Sequence, residues 1–337
     1  MTVSGSFVDL RSDTVTLPCS AMRAAMLEAS LGDDVYGEEP TVRQLENSLA
    51  ALAGKEEGLL LPTGTQSNLC ALLVHCERGD EFIAGQSSHI YRYEGGGGAV
   101  LGGIQPQPIE NNPDGSLDLN RVASVIKPLD FHFARTRLLC LENTMQGKVL
   151  PVSYLQSLRS FAQAHGLRLH LDGARIFNAA VAGGLPLQHL VHMFDTVSIC
   201  LSKGLGAPAG SVLVGDSSLI AAARRWRKVL GGGMRQSGVL AAAGLHALSH
   251  NVHRLAEDHA RAHRLADGLR ALGLVVEPVQ TNMVYVDCSA LEPLQLKNRL
   301  LERGIKVNPA SRLRLVTHLG IDDDAVERAL RAFQHNI

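Results

Sequence analysis

The sequence lacks several features that mark particular classes of protein. Its formal net charge is only −1 and its isoelectric point is near 6.9, whereas a nucleic-acid-binding protein needs a basic bias. It has no run of 18 apolar residues, so we predict no transmembrane helix. The N-terminal MTVSGSFVDL has neither a basic region nor a long apolar run, so we predict no signal peptide. Nucleic acids and membranes are therefore not expected partners.

Closely spaced cysteines are also missing. The sequence has six cysteines and no CxxC motif, and most of them lie within apolar segments: Cys19, Cys70, Cys76, Cys140, Cys200 and Cys288. A free thiol in such a segment behaves as a small hydrophobic group. Reduced thiols are typical of the cytoplasm. We therefore predict a cytoplasmic protein without a metal site.

The sequence does contain enough apolar material for a large core. Of its 337 residues 45% are hydrophobic, and the mean hydropathy is +0.06. Between about residues 57 and 215, short apolar runs alternate with helical patterns, which is typical of βαβ units and a mostly parallel sheet. We predict an α/β fold with a large domain over residues 1–250, including an N-terminal arm. A small α+β domain over residues 251–337 should follow.

One pair of strands should run antiparallel. The runs TVSICLS (Thr196–Ser202) and SVLVG (Ser211–Gly215) are separated by only about eight residues. A parallel connection needs about a dozen or more. The sheet should therefore contain one reversed strand. Beyond it, a long helical stretch is expected from Gly238 to Leu272, with the domain boundary near Asn251.

Three apolar runs end in residues that can carry chemistry. LPTGTQSN (Leu61–Asn68) leads into a helix whose first N–H groups and threonine hydroxyls suit a phosphate. Asp172 and Lys203 each follow a strand, and ligands of open α/β sheets bind beyond the carboxyl ends of the strands. Taken singly, each feature has an ordinary explanation: a helix cap, an ion pair of Asp172 with Arg175, and a lysine that reaches the surface.

Together, the three features match the requirements of pyridoxal 5′-phosphate. The helix start would anchor the phosphate, Asp172 would pair with the pyridinium nitrogen, and Lys203 would hold the aldehyde as an imine. A nicotinamide site would not need the lysine. A cofactor-free lysine aldolase would need neither the aspartate nor the phosphate loop. Such an aldolase would also usually occupy a (β/α)₈ barrel, which the reversed strand argues against.

Ordered motifs along nearly the whole chain carry a family resemblance. They are DLRSDTVTLP (Asp9–Pro18), GDDVYGEEPTV (Gly32–Val42), LPTGTQSNL, SHIYRYE (Ser88–Glu94), HFARTRLLCLENT (His132–Thr144), LHLDGARIFNA, ICLSKGLGAP, GGGMRQSG (Gly231–Gly238), TNM (Thr281–Met283) and RLVTHL (Arg314–Leu319). With them the sequence resembles the L-threonine aldolases of the low-specificity and allo types. The resemblance implies the aspartate-aminotransferase-like fold of pyridoxal-phosphate enzymes, with a mostly parallel seven-stranded sheet. It also implies cleavage of L-threonine or L-allo-threonine to glycine and an aldehyde.

The resemblance assigns roles residue by residue. Lys203 would be the catalytic lysine, and the other cofactor-binding residues would be Gly64, Thr65, His89, Asp172, Arg175, Ser202, Lys228 and Arg235. The substrate would meet Ser12, Tyr36, Tyr93, Arg175 and Arg314. The active sites would be shared between chains of a homo-oligomer, a tetramer built of dimers. Tyr36, Lys228 and Arg235 would then come from the partner chain or lie next to it.

Some assignments stay open at this point. Arg312 and Arg314 share one face of a regular strand, and only the RLVTHL motif favours Arg314. Tyr91 and Tyr93 likewise share one face, if that segment is extended. The base that takes the hydroxyl proton is either His89, His132 or a water held between them, because histidine titrates near neutral pH.

One motif departs from the family. A His-Asn pair is expected after LENT, but Met145 and Gln146 stand there. If that position packs near the cofactor, ring contact or substrate discrimination would change.

The alternatives to an aldolase are β-elimination or transamination on the same fold, or a binding protein without activity. The preference between threonine and allo-threonine is not readable from the sequence.

Overall fold

The computed structural model describes residues 7–335. The prediction of no signal peptide falls mainly on residues 1–6, and these lie outside the described residues. Residues 336–337, the end of the predicted small domain, also lie outside them. No helix among the described residues is long and apolar enough to cross a membrane.

The strands of the described chain form three sheets. Their bounds are β1 Val8–Asp9, β2 Glu57–Leu61, β3 Asp80–Gly85, β4 Gln105–Ile109, β5 Arg135–Glu142, β6 Arg168–Asp172, β7 Thr196–Cys200, β8 Ser211–Gly215, β9 Val275–Val276, β10 Met283–Asp287, β11 Ile305–Lys306 and β12 Arg312–Val316. The largest sheet has seven strands in the order β2-β8-β7-β6-β5-β3-β4. The second sheet has the order β12-β10-β9, and in the third β1 pairs with β11.

The reversed strand is confirmed. β7 and β8 pair antiparallel, with Ile199 opposite Val212, and β8 also pairs antiparallel with β2. The other neighbouring pairs of this sheet are parallel. β7 and β8 are buried along their whole length, as expected for strands covered on both faces. Because the parallel strands share one direction, β2, β5, β6 and β7 all end at the same edge of the sheet.

Strand β4 was missed by the sequence analysis. Its sequence is QPQPI, and two prolines in five residues argue against a central strand. β4 lies at the edge of the sheet and pairs only with β3. An edge strand tolerates proline because half of its N–H groups need no partner strand.

Helices cover both faces of the large sheet and complete the C-terminal part. Their bounds are α1 Ser20–Leu27, α2 Pro40–Ala53, α3 Gly64–His75, α4 His89–Arg92, α5 Gly97–Gly102, α6 Leu119–Val125, α7 Val152–His165, α8 Ile176–Gly183, α9 Leu187–Val191, α10 Ser217–Val229, α11 Gly238–His250, α12 Leu255–Ala271, α13 Pro293–Glu302 and α14 Asp323–Gln334. The long helical stretch predicted from Gly238 is therefore two helices, with a break at residues 251–254.

The apolar residues gather in more than one core. The largest cluster covers one face of the seven-stranded sheet and reaches as far as Leu255, and two smaller clusters cover the other face. A second cluster joins α12, α13, α14 and the three-stranded sheet, and it includes Val8 and Leu10 from the N-terminal arm. The arm thus packs with the C-terminal part of the chain. The domain division at residue 250 stays a prediction, which these separate cores support.

Candidate active site

A cavity of about 270 Å³ opens at the edge where the parallel strands end. It brings together most of the residues predicted to hold the cofactor. Its lining is Pro62, Thr63, Gly64, Thr65, Asn68, His89, Glu94, Asp172, Ala174, Cys200, Ser202, Lys203, Pro208 and Ala209. A larger open groove of about 800 Å³ between α1, α2 and α11 contains none of the predicted site residues.

The start of α3 forms one end of the cavity. Thr63 caps the helix by accepting a hydrogen bond from the Gln66 N–H at 3.1 Å. The N–H groups of the first turn have no partner within the helix, and they favour an anion. At Gly64, a Cβ atom would lie 2.7 Å from the Cys200 sulfur. Glycine at this position therefore lets the helix start approach β7 and the cavity closely.

Asp172 is held rigidly at the end of β6. Its side chain is buried, and each carboxylate oxygen accepts a hydrogen bond. Oδ1 accepts from the Ala174 N–H at 3.0 Å, and Oδ2 accepts from the Asn68 amide at 2.9 Å. A carboxylate held in this way can meet a pyridinium nitrogen without reorganising.

Lys203 follows β7, and its amine faces the cavity. Its Nζ lies 3.4 Å from the Cys200 sulfur, and within the described chain no carboxylate oxygen lies in salt-bridge range of it. The Lys203 carbonyl accepts a hydrogen bond from Thr16 of the N-terminal arm at 2.9 Å. The arm therefore fixes the backbone of the lysine while the amine keeps its freedom to react.

His89 lines the cavity and is tied to a carboxylate. Its Nδ1 lies 2.7 Å from Glu94 Oε1. This hydrogen bond raises the pKa of His89 above its ordinary value, despite the opposing effect of burial. The segment around it is not extended, since His89–Arg92 form the short helix α4. The condition for a common face of Tyr91 and Tyr93 is therefore not met: Tyr91 packs on the core, whereas Tyr93 is exposed beside the His89 ring.

Glu142 is a further acid at this edge that the sequence analysis missed. It is the last residue of β5, and the strand register sets it opposite Asp172. Its Oε2 accepts a hydrogen bond from the His89 backbone N–H at 2.7 Å. Burial, together with the charge of Asp172, raises the pKa of Glu142 to about 7. The signal was available in LENT, because Glu142 ends a strand next to the one that carries Asp172.

Arg175 is oriented by Asp13, a second residue that was missed. The Arg175 Nε donates to Asp13 Oδ2 at 2.8 Å, and a second guanidinium nitrogen donates to Oδ1. Burial alone would raise the pKa of Asp13, but the charge and hydrogen bonds of Arg175, with smaller contributions from Lys203 and Asn282, together lower that pKa to about 2. The predicted Ser12 stands directly before Asp13, and its hydroxyl lies 3.5 Å from Asp13 Oδ1.

The structure distinguishes the two arginines of β12. Arg312 and Arg314 lie on the same face, as predicted. Arg312 is committed to Glu277 by two hydrogen bonds and stacks 3.8 Å from the Tyr285 ring centre. Within residues 7–335, Arg314 donates only to the Arg11 carbonyl, at 3.0 Å. Arg314 is therefore the arginine of this strand that is freer to bind a carboxylate.

His132 lies away from the cavity of its own chain. It precedes β5, so it stands at the amino end of the strand, whereas the cavity lies at the carboxyl ends. Its side chain is 66% exposed, and its Nδ1 contacts Asp130 at 2.6 Å. The prediction of a water held between His89 and His132 is therefore wrong within one chain.

The departure at Met145 and Gln146 lies in a turn beside the large core. Met145 is buried, and its Cβ lies 2.7 Å from where a Cβ of Gly115 would be. Gln146 adopts a φ of +51° and accepts a hydrogen bond from Arg312. Neither residue lines the cavity. The condition for an altered ring contact, a position near the cofactor, is therefore not met by Met145 within its own chain.

Eight predicted residues are outside the lining of the cavity of their own chain: Ser12, Tyr36, Tyr93, His132, Arg175, Lys228, Arg235 and Arg314. Among these, Tyr36, Lys228 and Arg235 lie at the surface. Tyr36 is 75% exposed, and the Arg235 guanidinium lies 5.8 Å from its ring centre. Arg235 also pairs with Asp33 at 3.0 Å. Lys228 is exposed near the end of α10.

The donor set fits pyridoxal 5′-phosphate. A helix start for the phosphate, a buried carboxylate for the ring nitrogen and an amine without a carboxylate partner border one cavity. These are the groups that this cofactor needs from its protein. The fold and the site thus define a pyridoxal-phosphate-dependent enzyme.

Comparison with known proteins narrows the class. The family model described as beta-eliminating lyase matches residues 9–290. The chain is 54% identical to the low specificity L-threonine aldolase of Escherichia coli K12, over 93% of this chain and 94% of that protein. It is 46% identical to low-specificity L-threonine aldolase 1 of Arabidopsis thaliana, over 97% and 95%. The chain therefore belongs to the beta-eliminating lyase family and, within it, to the low-specificity L-threonine aldolases.

Solved structures agree on the fold. A threonine aldolase of Leishmania major superposes with a TM-score of 0.84 at 21% identity, over 97% of this chain and 99% of that one. A serine palmitoyltransferase of Sphingomonas wittichii superposes with a TM-score of 0.75 at 22% identity, over 98% and 86%. The predicted pyridoxal-phosphate transferase fold, with its mostly parallel seven-stranded sheet, is confirmed.

Proposed function

We propose that this protein cleaves L-threonine, L-allo-threonine and related β-hydroxy-α-amino acids to glycine and an aldehyde by a retro-aldol reaction. The observation that carries the proposal is the single cavity in which Lys203, Asp172 and the start of α3 converge. Sequence identity of 54% to a low specificity L-threonine aldolase supports the choice of substrate.

Lys203 and Asp172 are the residues that hold the cofactor in this proposal. Gly64, Thr65 and Ser202 bind its phosphate, and His89 packs on its ring. When bound, the cofactor supplies an electron sink for the Cα–Cβ bond that breaks. The Lys203 amine, free of a carboxylate partner, returns a proton to Cα as glycine forms.

The substrate carboxylate is held by arginine. Arg314 donates to a single backbone carbonyl in the described chain, so its planar fork can bind a carboxylate in two places. Arg175 is already oriented by Asp13 and adds positive charge beside it. Both charges oppose the rise that burial causes in the pKa of Tyr285.

His89 is the base that takes the β-hydroxyl proton. Because ionised Glu94 can only accept at Nδ1, neutral His89 carries its proton there and keeps Nε2 free as an acceptor. The hydrogen bond to Glu94 raises the pKa of His89 and so makes it a stronger base.

Substitution of Glu94 by glutamine tests this assignment. The glutamine amide cannot stabilise the imidazolium, so the pKa of His89 should fall and the acidic limb of kcat/KM against pH should move to lower pH. A glutamine N–H can also donate to Nδ1 and so place the proton on Nε2, so the maximal rate should drop by about 10²-fold or more. A profile identical to wild type would contradict the role of His89.

Glu142 supplies the matched control. Its pKa, about 7, lies in the same range, so it could produce the acidic limb instead. Glu142→Gln keeps an oxygen that can accept from the His89 N–H but removes the titrating acid. The Glu142 charge is the smallest of the contributions that raise the pKa of His89. A limb that moves clearly less in this variant than in Glu94→Gln therefore assigns the limb to His89.

We also propose a cytoplasmic homo-oligomer, a tetramer built of dimers with shared sites. The exposure of Tyr36, Lys228 and Arg235 outside the cavity of their own chain supports sharing. All six cysteines are free, which agrees with a reducing compartment.

His132 would contribute to catalysis only in the site of another copy. Its exposed neighbours Leu129 and Phe131, 94% and 92% accessible, suit such a contact.

Mixed oligomers test the sharing of sites. Chains with Lys203→Ala lack the lysine of their own site, and chains with Arg235→Ala lack the residue lent to a partner. In a dimer of one chain of each kind, one of the two sites is fully native. Random mixing makes half of the dimers mixed, so activity should return to roughly a quarter of wild type.

A second mixture serves as the control. Lys203→Ala and Asp172→Ala both damage the site of their own chain, so mixing them should restore nothing. Subunit exchange must first be demonstrated by mass spectrometry of the mixture. Failure of the first mixture despite exchange would show that Arg235 acts within its own chain or not at all.

The reaction itself is tested by aldehyde release. Acetaldehyde formed from L-threonine or L-allo-threonine can be followed through alcohol dehydrogenase and NADH. Release with an equal amount of glycine would establish the aldolase, and the ratio of the two rates would give its stereochemical preference. Formation of a keto acid instead would indicate β-elimination or transamination. A protein that stays colourless with added cofactor would indicate a binding role.

A further inference from the structure

A buried row of polar side chains runs beneath the cofactor cavity. It consists of His75, Thr196, His170 and Asn68, and it ends on the carboxylates of Asp172 and Glu94. His170 and Thr196 are directly opposite each other on β6 and β7. Asn68 and His75 are seven residues apart on α3, so they share the helix face that covers these strands. None of the four is more than 7% exposed.

The row is continuously hydrogen-bonded. His75 Nε2 lies 2.9 Å from the Thr196 hydroxyl, and that hydroxyl lies 2.9 Å from His170 Nδ1. His170 Nε2 lies 3.1 Å from Asn68 Oδ1. The Asn68 amide nitrogen lies 2.8 Å from Glu94 and 2.9 Å from Asp172.

Donor and acceptor roles along the row follow from its acidic end. Carboxylates only accept, so both N–H bonds of the Asn68 amide point at Asp172 and Glu94, and Oδ1 faces His170. His170 must then carry its proton on Nε2. Burial lowers the pKa of His170 to about 4, so its Nδ1 is bare and accepts from Thr196.

The same logic continues to the far end. The Thr196 hydroxyl donates its only proton to His170, so toward His75 Nε2 it can only accept. Burial lowers the pKa of His75 to about 3, which keeps that ring neutral. The opposite direction would turn the Asn68 oxygen toward two carboxylates, an arrangement of acceptors without a proton between them. Every donor in the row therefore points toward the cofactor-binding carboxylate.

We propose that His170 is a positioning residue for cofactor binding: its Nε2–H locks the Asn68 amide, which in turn holds Asp172 as an oriented acceptor. The proposal rests on the proposed contact between Asp172 and the cofactor. Without His170, the Asn68 amide loses the partner that fixes which of its ends faces the carboxylates. Asp172 then loses a hydrogen bond that favours its ionised, aligned form.

Substitutions at the two histidines separate positioning from packing. His170→Leu removes the donor to Asn68, and we expect the affinity of the apoprotein for pyridoxal phosphate to fall about 10- to 100-fold. His170→Gln can again offer an N–H to Asn68, and most of that loss should be recovered. His75→Leu is the matched control, because it removes a histidine of equal burial from the same row. It should lower thermal stability similarly while changing affinity less than about threefold.

Affinity is measured by titrating each full-length apoprotein and following visible absorbance and the emission of Trp226. Equal losses of affinity at His170 and His75, or a folded His170→Leu with unchanged affinity, would overturn the proposal. Asp172→Asn distinguishes a failure of the positioning role of His170 from a failure of the proposed contact between Asp172 and the cofactor. If this variant binds the cofactor normally, the proposed contact of Asp172 is wrong. If it binds poorly while His170→Leu binds normally, only the positioning role is wrong.

A second measurement is made on the protein with its own sequence and uses a variant only to assign the signal. In the ¹⁵N-histidine-labelled apoprotein, His170 should give the chemical shifts of a neutral ring protonated at Nε2, unchanged from pH 8 to pH 5. The His170→Gln spectrum assigns the signal by its disappearance. A ring protonated at Nδ1, or one that titrates with an ordinary pKa near 6.5, would refute the donor order on which the proposal depends.

Discussion

Replacement of Lys203 by alanine is expected to lower kcat by roughly 10³-fold or more and to abolish the visible absorbance of a cofactor bound through the lysine. Its amine is the proposed nucleophile and borders the cavity, and no carboxylate oxygen in the described residues lies in salt-bridge range to restrain it. The loss should be one of chemistry and not of folding, because among residues 7–335 the one hydrogen-bond partner of Lys203 Nζ is the Cys200 sulfur, at 3.4 Å. The melting temperature of the apoprotein should therefore stay near that of wild type.

Lys55 offers a matched control for this substitution. It is also partly buried, but it lies at the opposite edge of the sheet and donates to the carbonyls of His192 and Phe194. Lys55→Ala should cost stability and leave absorbance and turnover per folded molecule unchanged. Turnover by Lys203→Ala at near wild-type rate would remove Lys203 from the mechanism and with it the proposed reaction.

The sheet and the centre of the site were predictable because both follow from short-range rules. Apolar runs that alternate with helical patterns predict parallel strands, and residues that follow such strands meet at one edge. This logic placed Asp172 and Lys203 in one cavity. The eight-residue connection to β8 likewise left no room for a parallel crossover. The strand QPQPI escaped because proline is compatible with a strand only at an edge, and edge position is a property of the completed sheet.

The residues that orient the site were not predictable in the same way. Asn68 and Asp13 act on Asp172 and Arg175 from segments far apart in the chain. Glu94 lies only five residues from His89, but nothing in the sequence shows that this short segment turns the two side chains toward each other. Each looks like an ordinary polar residue of a helix or turn. One weak signal existed in the run LHLD: alternate residues of a strand share a face, so a buried polar side chain two positions before Asp172 is placed to act in its neighbourhood.

The motif match at His132 identified a residue type but not its location. A match carries no information on strand polarity, and β5 begins after His132, which leaves it at the amino edge of the sheet. Met145 shows the reverse case. Its substitution looked consequential in the motif, yet the side chain is buried in a turn against Gly115, away from the cavity.

Substitution of Asp172 by asparagine should have the second large effect. The ring nitrogen of the cofactor would lose the negative charge that keeps it protonated, and the electron sink would weaken. The new amide would also be unable to accept both of the hydrogen bonds that Asp172 accepts. Its oxygen can accept from either the Ala174 N–H or the Asn68 amide, so its own N–H₂ must face the remaining donor. We expect kcat to fall about 10²- to 10³-fold and cofactor affinity to fall with it.

Asp195→Asn is the matched control for Asp172→Asn. Asp195 is an equally buried carboxylate that accepts from the Leu169 N–H at 2.8 Å and from Arg159 at 3.1 Å, at the amino edge of the same strands. Its loss should lower the melting temperature without changing the affinity of the folded protein for pyridoxal phosphate. Parallel titrations of both apoproteins separate the two cases. Equal affinity in both variants would mean that the effect of replacing Asp172 comes from the loss of a buried carboxylate and not from its position beside Lys203. A selective loss in Asp172→Asn would tie the carboxyl end of β6 to the cofactor ring.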